Sequence, residues 1–439
     1  MNRRDFFKKS SLGLLGGGLL GRSALSGPGE TGETELKIKG YRTLGRTGFR
    51  VSDIGAGDFN DPGPFRGLLD AGVNYIDTSE TYGQHARKIG DSIQGRDRGS
   101  LFITCKLQAD TSSRRIASIG IDKAGFLRRF HEMTEAMQLD YLDCLMLSSP
   151  ETLEDLECEG FHAAIDELKK AGKVHFVGVS HHGSQWFLNK PKVPMDKILT
   201  AAAEDGRFDV MLLAYNFLKQ DGSERLLELC GKKKIGVTLM KTNPIRSYTN
   251  NMQQYLERKE NRREELTATD RENIERMEKK LEDAQDFIRR HNLKSEGEIR
   301  EAAVKFVLSN PHVHTVCATV LNYDEMRSFI RLSGTRLKGR DEELLAVYRR
   351  ECGGLYCRHA CGLCEPACPH EVPVNTILRY DHYFVAQSRE KHAMTKYAEL
   401  KDHSAAICQD CAGYCESACP YGVPARALLT AAHLNLSLT

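Results

Sequence analysis

The residues best suited to chemistry in this 439-residue chain are nine cysteines near its C-terminal end. Eight of them form two runs that each close with Cys-x3-Cys-Pro: Cys357, Cys361, Cys364 and Cys368, then Cys408, Cys411, Cys415 and Cys419. Closely spaced thiolates ending in Cys-Pro are typical of iron–sulfur ligands, whereas zinc ribbons separate two Cys-x2-Cys pairs by a loop. The pattern predicts two [4Fe–4S] clusters as cofactors, with one cluster, zinc or disulfides as alternatives.

The two runs resemble bacterial ferredoxins, in which the fourth cysteine of each run ligates the other cluster. Each run departs from that pattern by one additional residue in an early gap. The segment between the runs has helical character, so residues 345–439 resemble the α-helical ferredoxin modules of respiratory and heterodisulfide-type reductases. This resemblance implies a small, mostly helical iron–sulfur domain that transfers electrons, with a redox protein among its partners.

A large domain precedes the cysteine-rich tail, and its repeated apolar segments must position any substrate site. Eight short β-type segments occur at 51–57, 73–77, 101–106, 141–147, 174–180, 208–214, 235–240 and 314–320. Segments that are apolar nearly throughout, with helical patterns between them, are typical of a parallel sheet covered on both faces. Eight such units predict an α/β fold, a (β/α)8 TIM barrel over 41–340, with an open doubly wound sheet as the alternative.

An insertion at 249–295 interrupts this regular alternation. It is dense in both charge signs, and Ile274, Met277, Leu281, Ala284 and Ile288 recur at helical spacing. This pattern predicts a helix. It is either a solvated helix packed by its apolar stripe or a lid, because loops that follow barrel strands emerge on the catalytic face.

Four segments of the barrel closely resemble the aldo-keto reductases. They read "TLGRTGFRVSDIGAG", "LLDAGVNYIDTSETYG", "LFITCK" and "GKVHFVGVS". The resemblance implies that Tyr82 donates a proton to a carbonyl, that Lys106 lowers the tyrosine pKa, and that Asp77 orients the lysine. Tyrosine normally has a pKa near 10, and a neighbouring cation favours the phenolate, so these residue types suit proton transfer.

Other positions depart from the family pattern. Ser148 stands where the family has a catalytic histidine, and His181 and His182 are either substitutes for it or ordinary residues of the barrel mouth. Ser180 and Tyr215 remain as contacts for a nicotinamide cofactor. Leu212 and Leu321 replace the family's glutamine and its phosphate-binding arginine. Since an arginine fork is the natural partner of a 2′-phosphate, NAD is favoured over NADP if a nucleotide binds.

The N-terminus has the features of an export signal. Arg3 and Arg4 precede a short apolar stretch, and residues 1–27 match a twin-arginine signal peptide, followed by a flexible leader at 28–40. The twin-arginine route carries folded proteins that already hold their cofactors, so export is compatible with iron–sulfur clusters. We therefore expect a periplasmic or otherwise extracytoplasmic protein, with no stable membrane insertion after cleavage.

Composition excludes some functional classes. The net charge is +2, with 40% hydrophobic and 28% charged residues, which gives no reason to expect a nucleic-acid partner. Together the motifs predict an exported iron–sulfur oxidoreductase. It is expected to reduce or oxidise a small-molecule substrate, which is a carbonyl or alcohol compound or is sugar-like, with electrons passed through the clusters. The alternatives are an electron-transfer or binding protein on a degenerate barrel, and a structural protein whose clusters only stabilise the tail.

Overall fold

The computed structural model describes residues 36–109, 114–183, 193–218, 222–244, 267–359, 361–387 and 389–437. The predicted signal peptide at 1–27, most of the leader and residues 249–266 of the insertion lie outside the described residues. Among the described residues, no helix combines the length and apolar character needed to cross a membrane.

Eight parallel strands form a closed barrel, which confirms the predicted fold class and excludes the open sheet. The strands are β3 (Ile54–Phe59), β4 (Tyr75–Ser79), β5 (Phe102–Gln108), β6 (Leu142–Ser148), β7 (Val174–His181), β8 (Val210–Ala214), β9 (Gly236–Met240) and β10 (Thr315–Val320). Each strand pairs with the next, and β10 closes the barrel by pairing with both β9 and β3. Their side chains are almost all buried, as expected for strands covered on both faces.

The first predicted strand is divided at Asp53. Its beginning, β2 (Arg50–Ser52), pairs antiparallel with β1 (Tyr41–Thr43) in a hairpin outside the barrel. Asp53 is fully buried and accepts hydrogen bonds from the Ser333 hydroxyl at 2.6 Å and the Gly334 amide at 2.9 Å. These contacts hold the hairpin against the chain that follows the barrel.

Helices surround the barrel and continue beyond it. The barrel helices are α1 (Pro62–Asp70), α2 (His85–Ile93), α3 (Arg114–Ile119), α4 (Lys123–Met137), α5 (Glu159–Lys170), α6 (Met195–Asp205), α7 (Ser223–Lys232), α8 (Ala268–Arg290), α9 (Glu296–Ser309) and α10 (Tyr323–Leu332). The C-terminal region contains α11 (Gly339–Cys352), α12 (Val374–Ala386), α13 (Glu390–Ala398), α14 (Tyr414–Ser417) and α15 (Ala425–Leu436).

The described part of the insertion packs on the C-terminal region instead of covering the barrel mouth. Ile274, Met277, Ala284 and Phe287 of α8 are buried in an apolar cluster with residues of α11 and α15. The apolar stripe predicted from the sequence is therefore present. This stripe packs against the C-terminal region. Of the two predicted alternatives, α8 is therefore the packed helix and does not form a lid.

Candidate active site

Asp77 and Lys106 lie next to each other at the carboxyl ends of β4 and β5. Both side chains are buried, and Lys106 Nζ donates a hydrogen bond to Asp77 Oδ2. The Thr104 hydroxyl donates to Asp77 Oδ1 at 2.9 Å, which fixes the carboxylate. Burial opposes the charge on Lys106, but the charge of Asp77 and its hydrogen bond favour the cation, and the lysine pKa is raised overall. Lys106 is therefore held as a cation in the barrel mouth.

Tyr82 follows β4, and its ring contacts two cations. Lys106 Nζ lies 5.0 Å from the ring centroid, and the guanidinium carbon of Arg389 lies 4.4 Å from it. Burial raises the pKa of Tyr82 to about 12, and the two cations only partly oppose that increase. The effect of Lys106 thus has the expected direction, but the net pKa is raised. Tyr82 stays protonated at neutral pH and can donate its proton to a developing alkoxide.

Not all of the residues predicted to contact a cofactor border the cavity that surrounds Tyr82. Ser148 borders the cavity at the end of β6, and the fully buried Ser180 hydroxyl lies 3.5 Å from the Ser148 hydroxyl. Tyr215 is directed elsewhere, because its ring packs 5.6 Å from Phe306 and its hydroxyl donates to Glu224 at 3.3 Å. The structure therefore places Ser148 near Tyr82 but leaves Tyr215 unable to stack on a ligand in the cavity.

The two histidines after β7 have different positions. His182 borders the cavity, whereas His181 Nδ1 accepts a hydrogen bond from the Gly183 amide at 2.8 Å. Burial lowers the pKa of His181 to about 4 and lowers that of His182 well below its ordinary value. A neutral imidazole still donates or accepts hydrogen bonds. His182 is thus placed for a polar contact with a substrate, and it does not supply a charged acid.

The cavity around Tyr82 has a volume of about 1040 Å³ and is bounded on one side by the C-terminal region. Arg379 and Tyr383 come from α12, and Arg389 and His392 come from the start of α13. Ligand pockets typically enclose about 300–1,000 Å³, so the space accommodates a small-molecule substrate. Sequence reasoning missed these residues, although "RYDHYFVAQSREKH" at 379–392 is rich in histidine and arginine.

Arg389 joins the C-terminal region to the barrel through an ion pair with Asp58 at the end of β3. Burial raises the pKa of Asp58, and the charge of Arg389 opposes that shift. His85 Nε2 also lies 3.8 Å from Asp58, but burial lowers the His85 pKa to about 3, so this imidazole is neutral. Arg389 is therefore the cationic partner of Asp58 and the ion pair anchors α13 over Tyr82.

None of the 14 cysteines forms a disulfide within the described ranges, and the eight in the two runs border two separate small cavities. The first cavity is lined by Cys357, Cys361, Cys364 and Cys419, and the second by Cys408, Cys411, Cys415 and Cys368. Each set therefore takes three cysteines from one run and the last cysteine from the other. Within the described residues, no three His, Cys, Asp or Glu side chains converge closely enough to hold one metal ion.

The two cysteine runs are an internal repeat that the sequence also carries. Positions 357, 364 and 368 recur 51 residues later at 408, 415 and 419, within the shared pattern Cys-Glu-x-Ala-Cys-Pro-x-x-Val-Pro. The glutamate of each copy accepts a hydrogen bond from the helix that follows. Glu365 binds the Asn375 amide at 3.0 Å, and Glu416 binds the Arg426 amide at 2.8 Å. This repeat can be recognised from the sequence alone.

The family model described as the aldo/keto reductase family matches residues 65–344, more than half of the chain, and the match includes Asp77, Tyr82 and Lys106. The chain belongs to the aldo/keto reductase family. Its barrel is thus that of an oxidoreductase family, as the motifs predicted. A curated relative, an uncharacterized oxidoreductase of Schizosaccharomyces pombe, is 26% identical over 137 residues. That match covers 27% of this chain and 39% of the relative, so this aldo/keto reductase spans well under half of the relative's length.

Two solved structures of low sequence identity are also similar to this chain. The holo form of an aldo-keto reductase from Bacillus halodurans is 18% identical, with a TM-score of 0.49, covering 74% of this chain and 97% of that one. An aldo-keto reductase structure from Pseudomonas aeruginosa is 17% identical, with a TM-score of 0.46, covering 67% of this chain and 94% of that one.

Proposed function

We propose that this aldo/keto reductase is an exported iron–sulfur oxidoreductase that interconverts a small-molecule carbonyl and its alcohol. The observation that carries the proposal is the position of the C-terminal region. This region contains the eight cysteines and also forms one wall of the substrate cavity. His359 lies between Cys357 and Cys361 in the chain and also borders the cavity that contains Tyr82. The first set of cysteines is thus next to the substrate cavity.

The two cysteine sets fit iron–sulfur clusters better than single ions. Zinc requires four ligand atoms within about 2.3 Å of one point, whereas a four-iron cluster keeps its thiolates farther apart, around a cavity. Asn375 Nδ2 lies 3.4 Å from Cys357 Sγ as a hydrogen-bond donor, and the Arg358 guanidinium is close to Cys361 and Cys419. Donors and cations of this kind stabilise the negative charge of thiolate ligands. The four-iron cluster therefore suits each set of cysteines.

The chain's own residues account for proton transfer. During reduction the Tyr82 hydroxyl donates a proton to the carbonyl oxygen, while two electrons and a second proton taken from solvent reach the carbonyl carbon, and solvent then returns a proton to Tyr82. The Lys106 cation stabilises the resulting phenolate, and Asp77 keeps Lys106 charged and oriented. If each set of cysteines held a [4Fe–4S] cluster, each cluster would supply one electron, and two clusters would together supply the pair that the reduction requires.

A nicotinamide nucleotide is a poorer fit to the described residues. Where β10 leads into α10, the Leu321 amide donates to Glu325 at 3.0 Å and Asn322 caps the Glu325 amide at 2.9 Å. Asp324 and Glu325 place two carboxylates in the first turn of α10, where they repel a phosphate. Tyr215 is also directed away from the cavity. These residues argue against NADP, leave NAD as the favoured nucleotide if one binds, and carry no step of the proposed reaction.

Export and electron exchange complete the proposal. The paired Arg3 and Arg4 support twin-arginine export to an extracytoplasmic compartment. Ile407 and Tyr414 line the second cysteine cavity and are 43% and 50% exposed, so this set lies near the surface. A cluster in that position is accessible to a redox partner protein.

The test uses anaerobically purified, iron-loaded protein reduced with dithionite and freed of excess reductant. Benzaldehyde and 4-carboxybenzaldehyde serve as carbonyl probes, with cluster oxidation followed by absorbance and benzyl alcohols measured by chromatography. We expect Tyr82→Phe to lower the rate about 10²–10⁴-fold, the usual contribution of a positioned proton donor. The control, Tyr141→Phe, alters a tyrosine just before β6 at the opposite end of the strand, and wild-type rates are expected.

The alternative is an electron-transfer or binding protein, and Ser148 in place of the histidine favours it. Equal rates of probe reduction in wild type and Tyr82→Phe would support this alternative and remove Tyr82 from the mechanism. Purified protein that binds no iron, although its fold is intact, would instead overturn the cluster assignment.

A further inference from the structure

Two cations in the cavity have no carboxylate partner among the described residues. Lys106 pairs with Asp77, and Arg389 pairs with Asp58. Lys241 and Arg379 also border the cavity, yet neither has a carboxylate within ion-pair distance in the part of the chain that the structure describes. A buried charge without a counter-ion is costly, so this arrangement is favourable once an anion is present.

The two cations lie close to the same aromatic ring. Lys241 Nζ is 5.1 Å from the centroid of the Tyr383 ring, and the guanidinium carbon of Arg379 is 5.8 Å from the same centroid. Arg379 is 4% exposed, its Nη2 lies 3.2 Å from His359 Nδ1, and its Nε has no hydrogen-bond partner. One charge comes from the barrel and the other from α12, so docking of the C-terminal region creates the pair.

The backbone of Lys241 is held in an unusual conformation that directs it to this place. Lys241 directly follows β9 and has a φ of 60°, in the left-handed region that side chains with a Cβ rarely adopt. Its carbonyl accepts a hydrogen bond from Asn216 Nδ2 at 2.9 Å. Strained residues of this kind persist only where the surrounding structure fixes them, and they concentrate at functional sites.

The neighbouring His182 adds no positive charge to this end of the cavity. It borders the same cavity, and burial together with the nearby cations lowers the pKa of its imidazole well below the ordinary value. The same causes, burial first and then Arg379 and Arg389, lower the pKa of Lys241. The positive potential at this end of the cavity therefore comes mainly from the arginine groups, and a bound anion would favour the charged form of Lys241.

We infer that Lys241 and Arg379 form an anion-binding subsite of the substrate cavity. The occupant is a small molecule that carries a carboxylate or phosphate group in addition to the carbonyl or alcohol presented to Tyr82. Assignment of the anion as part of a substrate rests on the proposed function, whereas the subsite itself rests only on the geometry of Lys241, Arg379 and Tyr383.

The subsite is tested by calorimetry on the anaerobically purified, cluster-loaded full chain. Inorganic phosphate and oxalate are titrated separately at low ionic strength, which distinguishes phosphate from carboxylate preference. We expect Lys241→Met to weaken binding about tenfold or more, in line with hydrogen bonds to charged groups, and Lys241→Arg to restore most of it. The matched control is Lys396→Met, which alters a lysine that borders the same cavity but pairs with Glu399 at 2.8 Å.

A second measurement connects the subsite to the reaction. The ratio of specificity constants for 4-carboxybenzaldehyde and benzaldehyde, which differ by one carboxylate, is expected to fall about tenfold in Lys241→Met and to stay unchanged in Lys396→Met. Equal losses of anion binding in Lys241→Met and Lys396→Met, or no anion binding by the wild type, would overturn the subsite. A Tyr82→Phe variant could keep both its anion binding and the turnover rate of the wild type. That result would overturn the proposed function and leave the subsite standing.

Discussion

The guanidinium group of Arg389 stacks on the ring of Tyr82, 4.4 Å from its centroid, while the same side chain pairs with Asp58. Arg389 belongs to the C-terminal region, and Tyr82 and Asp58 belong to the barrel. The C-terminal region therefore contributes directly to the environment of Tyr82. The protein thus has one combined site, in which the cysteine-bearing region forms a wall of the substrate cavity.

Removal of this contact is expected to loosen α13. In Arg389→Met the half-buried Asp58 loses its cation, and we expect amide exchange in 390–398 to accelerate about tenfold, which corresponds to about 1.4 kcal/mol of lost local stability. Hydrogen-exchange mass spectrometry measures the effect. A double variant with Asp58→Asn should recover part of the protection, since no unpaired carboxylate remains. Unchanged exchange in Arg389→Met would show that other contacts hold α13 in place.

The Asp77–Lys106 pair is expected to be strongly coupled. Lys106→Met leaves Asp77 buried without its cation, and breaking such a pair by removing one partner costs about 3–5 kcal/mol. Denaturant unfolding should show that the double variant Asp77→Asn, Lys106→Met loses less stability than the sum of the two single variants. Strict additivity of the two losses would mean that the residues do not act as a pair.

Buried neutral histidines are expected to make the fold sensitive to acid. Burial lowers the pKa of His85 to about 3, whereas an unfolded histidine titrates near 6.5. Above pH 6.5 both states of His85 are neutral, and below it the unfolded state gains a proton that the folded state excludes. Stability therefore falls as the pH decreases from 6.5 towards 3, by about 1.4 kcal/mol per pH unit for this group.

Unfolding midpoints measured between pH 7 and 5 test this dependence. His85→Gln keeps a polar group that can reach the Thr78 hydroxyl, which lies 2.8 Å from His85 Nδ1, and it should reduce the pH slope by about one proton. The exposed His131, replaced by glutamine, is the control and should leave the slope as in wild type. An identical slope in His85→Gln and wild type would exclude His85 as a source of the acid sensitivity.

Cysteine variants are expected to pair across the two runs. If each cavity holds one cluster, Cys364→Ser and Cys419→Ser damage the same cluster, and Cys411→Ser and Cys368→Ser damage the other. Iron content should fall from about eight per chain, and electron paramagnetic resonance of the reduced protein should give matching spectra within each pair. Cys352→Ser, which alters a buried thiol that lines neither cavity, should keep the full iron content. Spectra that group by run instead of by cavity would contradict the crossed assignment.

Much of the barrel, and the neighbouring positions of Asp77 and Lys106, could be predicted from the sequence. Eight apolar segments with helices between them favour a closed barrel over an open sheet, and the barrel then fixes where residues at strand ends lie. Asp77 and Lys106 end neighbouring strands, so their proximity follows from strand order alone. The cysteine spacing likewise predicts thiolate clusters, because ligand spacing is a local property of the chain.

The tertiary structure decided what the local pattern leaves open. The contact of Arg389 with Asp58 and Tyr82, the approach of Lys241 and Arg379 to the Tyr383 ring, and the direction of Tyr215 towards Glu224 all depend on packing between distant segments. The raised pKa of Tyr82 also depends on packing between distant segments, because burial outweighs the neighbouring cations only once the cavity is enclosed. Periodicity and motif spacing determine which elements form and what they carry, whereas complementary shape and charge between distant surfaces determine how those elements meet.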